Sequence, residues 1–113
     1  MAKYVMTGNE YQKQAMRTAN EKCRNISNVG LGIAGEAGEC ADIIKKHLHH
    51  GHAFDKEHFA KELGDVLWYV ALGCEIIEIP MEEVMQMNIE KLMKRYPLGF
   101  SEYDSIHRKD GDI

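Results

Sequence analysis

The spacing of apolar residues along the chain predicts four α-helices and no β-strand. Apolar positions recur every three or four residues, which is the helical period, and no segment shows the alternation of a half-buried strand. The predicted helices cover about residues 7–23, 30–50, 55–79 and 81–95. Because the connections are short, consecutive helices should be antiparallel neighbours. The pattern therefore predicts an all-α protein folded as an antiparallel four-helix bundle.

Local capping signals set the predicted ends of these helices. Thr7 and Glu10 fit a capping box at the start of the first helix. Gly51 supplies a stop for the second helix, and Asp55 is a favourable N-cap for the third. Pro80 ends the third helix, since a residue before proline avoids the helical conformation.

Length and composition narrow the class of protein. A chain of 113 residues with 44% hydrophobic residues predicts one domain over 1–113, with a core over about 7–100 and a loosely held polar tail from Ser101. A net charge of −4 argues against binding to a nucleic-acid polymer. No apolar run is long enough to cross a membrane. Cys23, Cys40 and Cys74 lack C-x-x-C spacing, which favours reduced thiols and a cytoplasmic location.

A glycine motif in the second helix raises the possibility of a dinucleotide site. Gly30, Gly32 and Gly35 spell G-x-G-x-x-G. That fingerprint needs a preceding strand and a βαβ unit, and RNISNV is too short and polar for a buried strand. We therefore predict that these glycines allow helices to approach closely.

Two pairs of acids lie on the apolar faces of consecutive helices. With about 100° per residue, Glu36 falls inside the apolar arc of the second helix and Glu39 lies at its edge. The third helix repeats the arrangement, with Glu62 on its apolar face and Asp65 beside it. Solvated surface acids are the alternative, but the repetition favours four carboxylates directed toward the core.

Buried acids at such close range require a cation. Burying an unpaired carboxylate costs on the order of several kcal/mol of folding free energy, and neighbouring like charges add to that cost. Lys45 and Lys46 point away from the apolar arc, so lysine pairing does not supply the cation. An all-oxygen cluster favours Mg²⁺, with Mn²⁺ as a possible substitute. The ferritin-like di-iron pattern is excluded because neither pair has an E-x-x-H motif.

The fourth helix adds positive charge. Asn88 interrupts its apolar stripe, and Lys91 and Arg95 lie within about 60° of Asn88 around the helix. These residues predict a site for a base and phosphates that faces the metal cluster. The alternative is that the cations only extend along the protein surface.

Three segments together resemble the MazG-type, all-α nucleoside triphosphate pyrophosphohydrolases. They are LGIAGEAGECADIIKK, KELGDVLWYVA and NIEKLMKRYP, and the resemblance covers about residues 10–101. The family pattern is E-x-x-E followed by E-x-x-D, matched here by Glu36, Glu39, Glu62 and Asp65. Lys91 and Arg95 match the family's phosphate-contacting basic pair, and Asn88 matches a position that contacts nucleotide. Some members carry a further glutamate where this chain has Ala37.

The resemblance implies Mg²⁺-dependent hydrolysis of a (deoxy)nucleoside triphosphate between its α and β phosphates. The products would be a monophosphate and pyrophosphate. Glu39, at the edge of the apolar arc, is the predicted general base, because it can accept a proton from water acidified by a metal. Two alternatives remain: a relative specific for dUTP or phosphoribosyl-ATP, and a non-catalytic helical dimerisation module that binds a structural cation.

The third helix also predicts self-association. From Leu63 to Ile77 only Asp65 and Glu75 interrupt its apolar surface, and one four-helix chain cannot cover such a helix on every side. We therefore expect a dimer or tetramer with the active site partly built at an interface. Trp68 and Tyr69 are expected to pack in the core or to stack on a base.

Overall fold

A computed structural model describes residues 6–113. The main helices are α1 (Gly8–Ala15), α2 (Ile26–His49), α3 (Lys56–Ile77), α4 (Met81–Arg95) and the short α5 (Glu102–Ile106). The described residues contain no β-strand, so the all-α prediction is confirmed. No described helix is both long and apolar enough to span a membrane. The predicted domain starts at residue 1, and its first five residues lie outside the described range.

The first helix is much shorter than predicted. Thr7 caps α1 through a hydrogen bond from the Glu10 N–H, as expected, but α1 ends at Ala15 rather than near residue 23. The Ala15 carbonyl accepts hydrogen bonds from the Thr18 hydroxyl and from the indole N–H of Trp68. Two separate 3₁₀ turns, Met16–Thr18 and Glu21–Cys23, follow in place of the helix. Side-chain donors therefore occupy the Ala15 carbonyl, which would have accepted a backbone N–H in a longer helix.

The second and third helices begin and end at capping residues. α2 begins four residues earlier than predicted because Asn25 accepts a hydrogen bond from the Asn28 N–H. Gly51, with a positive φ of 74°, follows the end of α2 as predicted. Asp55 caps α3 as expected, and Glu78 ends it in the left-handed conformation with φ of 58°, two residues before Pro80.

α2 and α3 form the central helical hairpin, and one glycine controls how closely they approach. The Tyr69 ring occupies the space that a β-carbon on Gly32 would need. A β-carbon on Gly30 or Gly35 would meet nothing within 4 Å, so the predicted packing role is confirmed for Gly32, whereas the other two make no close contact within the described chain. The dinucleotide motif is excluded structurally, because all three glycines lie inside α2.

α1 joins the hairpin to α4. The Trp68 indole N–H of α3 also donates to the Thr18 hydroxyl at 2.9 Å, which fixes the end of α1. At the start of α4, the N–H of Met81 donates to the side chain of Gln12 at 2.7 Å. Trp68 is half-buried and packs against the core of the chain, in agreement with the core alternative of the sequence prediction.

The fourth helix does not complete a closed bundle within one chain. α4 contacts α1 and α3, and the most extensive helix packing is that of α2 with α3. Only Met81 of the predicted α4 stripe is buried, whereas Met85 and Leu92 are 49% and 40% exposed. The Cα radius of gyration is 17.1 Å, against roughly 13 Å expected for a compact domain of this length. The four predicted main helices are present among the described residues, and their assembly into a closed antiparallel bundle stays a prediction.

The C-terminal segment, predicted as a loosely held polar tail, makes two specific polar contacts. Ser101 caps α5 by accepting a hydrogen bond from the Asp104 N–H at 2.9 Å. Beyond α5, Asp112 forms a two-point ion pair with Arg95 at the end of α4. The sequence pattern missed this contact because it joins residues on separate elements.

Candidate metal centre and phosphate-binding cavity

The α2–α3 hairpin brings three predicted metal ligands together. Glu36 of α2 and Glu62 and Asp65 of α3 each offer a carboxylate oxygen, and these atoms all lie within 4.8 Å of one another. Within residues 6–113 this is the one group of metal-ligating side chains with such spacing. The i, i+3 spacing places Glu62 and Asp65 on neighbouring turns of one α3 face, opposite α2.

The electrostatics of this acidic cluster favour a bound cation. Glu36 and Glu62 are partly buried, and the side chain of Glu62 is only 16% exposed. Burial raises the pKa of Glu36, and a hydrogen bond shared with Glu62 and the charges of neighbouring acids raise it further. A divalent cation would relieve the repulsion between these acids that contributes to this shift.

Glu39 lies outside the acidic cluster. It is exposed on α2 and is absent from the group of close carboxylate oxygens, although sequence analysis predicted it as a metal ligand and general base. Its charge still contributes to the raised pKa of Glu36, which places it in the surroundings of the cluster. The difference follows from its position at the edge of the apolar arc, where the side chain faces solvent.

Two neighbours of the cluster were missed by sequence analysis. His58 lies one turn before Glu62, and its Nε2 is 3.3 Å from a Glu62 oxygen. Tyr11 of α1 is the second neighbour: burial and the nearby charge of Asp65 raise the pKa of its hydroxyl. The i, i+4 spacing of His58 and Glu62 could have revealed the first contact, whereas the second depends on how α1 crosses α3.

A second polar region lies between α4 and the C-terminal segment. Asn88, Lys91 and Arg95 line a cavity of about 1280 Å³ together with residues of the tail, including His107 and Arg108. The three residues share a face of α4, as the sequence predicted. Asn88 is exposed rather than part of a buried stripe.

The acidic cluster and this cavity are separate within one chain. None of the four predicted acidic residues lines the cavity. The predicted arrangement, with the cations of α4 facing the metal ligands, is therefore not formed by residues 6–113 of a single copy. The physical reason is that α4 lies against α1 and α3 without closing over the acidic face of the hairpin.

Comparison with known proteins identifies the family. The family model described as the MazG nucleotide pyrophosphohydrolase domain matches residues 24–100. The Gene 37 protein of Mycobacterium phage L5 is 34% identical over 83 residues, which cover 70% of this chain and 73% of that protein. No solved structure gives a significant match. The matched residues include the acidic hairpin and all of α4, and the chain therefore belongs to the MazG nucleotide pyrophosphohydrolase family.

Proposed function

We propose that this protein is a Mg²⁺-dependent pyrophosphohydrolase of (deoxy)nucleoside triphosphates. It would cleave between the α and β phosphates and release a nucleoside monophosphate and pyrophosphate. The observation that carries the proposal is the convergence of Glu36, Glu62 and Asp65 from two helices, in a chain that belongs to this family. Phosphoryl transfer depends mainly on positioning and charge neutralisation, which such a cluster can support.

The chemistry of the acidic cluster suits Mg²⁺. Its donors are carboxylate oxygens from Glu36, Glu62 and Asp65, which hard divalent cations prefer. When bound, the ion would neutralise phosphate charge and make water more acidic. Glu39, exposed beside the cluster, is proposed as the base that accepts the proton of the attacking water.

Residues of α4 are proposed to hold the nucleotide. Lys91 and Arg95 can donate charge-assisted hydrogen bonds to phosphate oxygens, and the Asn88 amide can contact the nucleoside. Their cavity excludes the acidic cluster in one chain, so the site requires α4 and the cluster to come from different copies or to approach each other on assembly.

A homo-oligomer would satisfy this requirement, and we propose a dimer or tetramer. Large apolar side chains on α3 and α4 are exposed, among them Leu63, Leu67, Ile89 and Met93 at 51%, 42%, 55% and 59%. Leu72 is the single large side chain that is fully buried among the described residues. Association would cover the exposed apolar surface and supply a core that one copy lacks.

Product analysis with isotopic water tests the proposed reaction. Purified protein would be incubated with Mg²⁺ or Mn²⁺ and a panel of ribo- and deoxynucleoside triphosphates that includes dUTP, with phosphoribosyl-ATP as a further substrate. In H₂¹⁸O, attack at the α-phosphorus places the label in the monophosphate, as detected by phosphorus NMR. We expect labelled monophosphate and unlabelled pyrophosphate.

A pair of variants on α3 separates the proposed site from general effects. Asp65→Asn removes a metal ligand and should lower kcat/KM by more than about 100-fold. Glu57→Gln is the matched control, since its carboxylate is 83% exposed and pairs only with the exposed Lys61 among the described residues. Nucleoside diphosphate and free phosphate as first products would contradict the mechanism, and no turnover of any substrate would favour a non-catalytic helical module.

A further inference from the structure

The C-terminal segment places the carboxylate of Asp112 against Arg95, a cation of the proposed substrate site. Asp112 accepts hydrogen bonds from Nε and Nη2 of Arg95, at 2.9 and 2.8 Å. Their side chains are 21% and 13% exposed, so the contact is largely shielded from solvent. This two-point geometry is the one by which arginine binds either a carboxylate or a phosphate.

A second guanidinium approaches the same carboxylate. Arg108 Nε lies 3.4 Å from an Asp112 side-chain oxygen, and Arg108 Nη2 lies 3.4 Å from the Asp112 backbone carbonyl. The Arg95 guanidinium and, to a smaller degree, that of Arg108 lower the pKa of Asp112 to about 2, so this carboxylate is ionised at neutral pH. One anion therefore sits between two arginines.

The surrounding cavity has room for a larger anion. Its volume of about 1280 Å³ exceeds the roughly 300–1,000 Å³ of common small-molecule sites. Lys91 and Lys94 of α4 and His107 of the tail also line it. A phosphate chain that replaced the Asp112 carboxylate would find further donors close by.

We propose that Arg95 and Arg108 form a two-arginine fork for the phosphate chain of the substrate, and that the Asp112 carboxylate occupies this fork until the phosphates displace it. This inference rests on the proposed function and adds Arg108 and Asp112 to the site. Displacement exchanges one anion for another and breaks no covalent bond. A chain of two or three phosphates carries more negative charge than the Asp112 carboxylate and more than the single phosphate of the monophosphate product, so the fork would favour polyphosphates over that product.

Binding of inorganic pyrophosphate measures this competition without turnover. If the fork is closed by Asp112 about nine-tenths of the time, Asp112→Asn should tighten pyrophosphate binding about 10-fold in calorimetry. Asp110→Asn is the matched control, because it changes the same charge two residues away and Asp110 forms no ion pair with other described residues. Asp110 also lines the cavity, so this variant measures the general effect of removing a negative charge there, and it should tighten pyrophosphate binding much less than Asp112→Asn does.

A double variant tests the role of Arg108. Arg108→Gln alone should weaken pyrophosphate binding. In the double variant, Arg108→Gln should remove most of the affinity for pyrophosphate that Asp112→Asn adds. Unchanged or weaker binding by Asp112→Asn would overturn the proposal and would mean that Asp112 only orients Arg95 or holds the tail.

Carbon-13 NMR of the unmodified protein tests the exchange without any variant of the tail. Pyrophosphate should move the Asp112 carboxyl resonance toward its position in Arg95→Gln, where its main partner is removed. A resonance that does not move while pyrophosphate binds would also overturn the fork.

The binding and turnover experiments test the fork and the proposed activity independently of each other. Hydrolysis to monophosphate and pyrophosphate with no effect of Asp112→Asn on pyrophosphate binding or KM would reject the fork and leave the proposed function standing. Tighter pyrophosphate binding by Asp112→Asn in a protein that turns over no nucleotide would support the fork as an anion site and reject the proposed activity.

Discussion

The ring of Tyr69 packs directly against the backbone of Gly32, where α3 crosses α2. Three ring carbons of Tyr69 occupy the space that a β-carbon on Gly32 would fill, and the ring also contacts Trp68 edge-to-face at a centroid distance of 5.0 Å. The indole therefore limits how far the tyrosine can move aside. This contact sets the separation of the two helices that carry the acidic cluster.

Gly32→Ala should therefore destabilise the hairpin despite the better helix propensity of alanine. Overpacking at a tight helix contact costs about 1–3 kcal/mol in the free energy of unfolding. Gly30→Ala, in the same helix with nothing near its β-carbon, should be neutral or stabilise by up to about 1 kcal/mol. Chemical denaturation of the two variants measures the difference, and equal effects would contradict the packing role of Gly32.

Mg²⁺ should stabilise the folded protein through the acidic cluster. At a hundredfold excess over Kd, one bound ion adds about 2.7 kcal/mol. For a chain of this size that corresponds to very roughly 5–15 °C in Tm. Calorimetry with and without millimolar Mg²⁺ measures the shift, and an unchanged Tm would argue against the metal site.

Glu62→Gln should weaken this response to Mg²⁺, and the metal-free stability of the variant can be measured separately in chelator. In EDTA the substitution removes one negative charge beside Glu36, so the metal-free protein should be at least as stable as the unmodified one. Glu57→Gln, on the exposed side of α3, should keep the full shift in Tm. A normal Mg²⁺ response in Glu62→Gln would exclude Glu62 as a ligand.

Stability of the metal-free protein should depend on pH through Glu36. Because the pKa of Glu36 is raised in the folded state, the folded protein holds a proton there that the unfolded chain has released. The contribution of this group to stability is therefore present at low pH and declines as pH rises above about 4.5 through the raised pKa. Glu36→Gln should remove that decline. Denaturant titrations in EDTA between pH 4.5 and 7.5 would show it as a growing advantage of Glu36→Gln, and a constant difference would contradict the shift.

Self-association should be visible at micromolar concentration. Leu63 and Leu67 lie one turn apart on α3 and are 51% and 42% exposed, which favours their burial between copies. Sedimentation should show a dimer or larger species, and Leu67→Glu should shift it toward smaller species and lower nucleotide hydrolysis in parallel. Lys61→Gln, which changes the charge by the same amount on an exposed site of α3, should do neither. A well-folded, strictly monomeric protein would contradict this prediction.

Much of the helical architecture could be predicted from sequence. The bounds of α4 were predicted as the structure has them, and the N-cap of α3 at Asp55 was also predicted. These features depend on the local period of apolar residues and on residues within one turn of a helix end. The end of α1 was missed because it depends on Trp68, which lies 53 residues away from Ala15 along the chain.

The sequence by itself determined which acids could meet, because a three-residue spacing fixes a shared helix face. It could not determine which oxygens converge: the packing of α2 on α3 brings Glu36, Glu62 and Asp65 together and leaves Glu39 exposed. Likewise, the sequence identified Arg95 as a cation beside Asn88, but only the tertiary structure placed Asp112 against it. Helical periodicity is a local property of the chain, whereas these contacts depend on the distance and angle between elements, which packing alone sets.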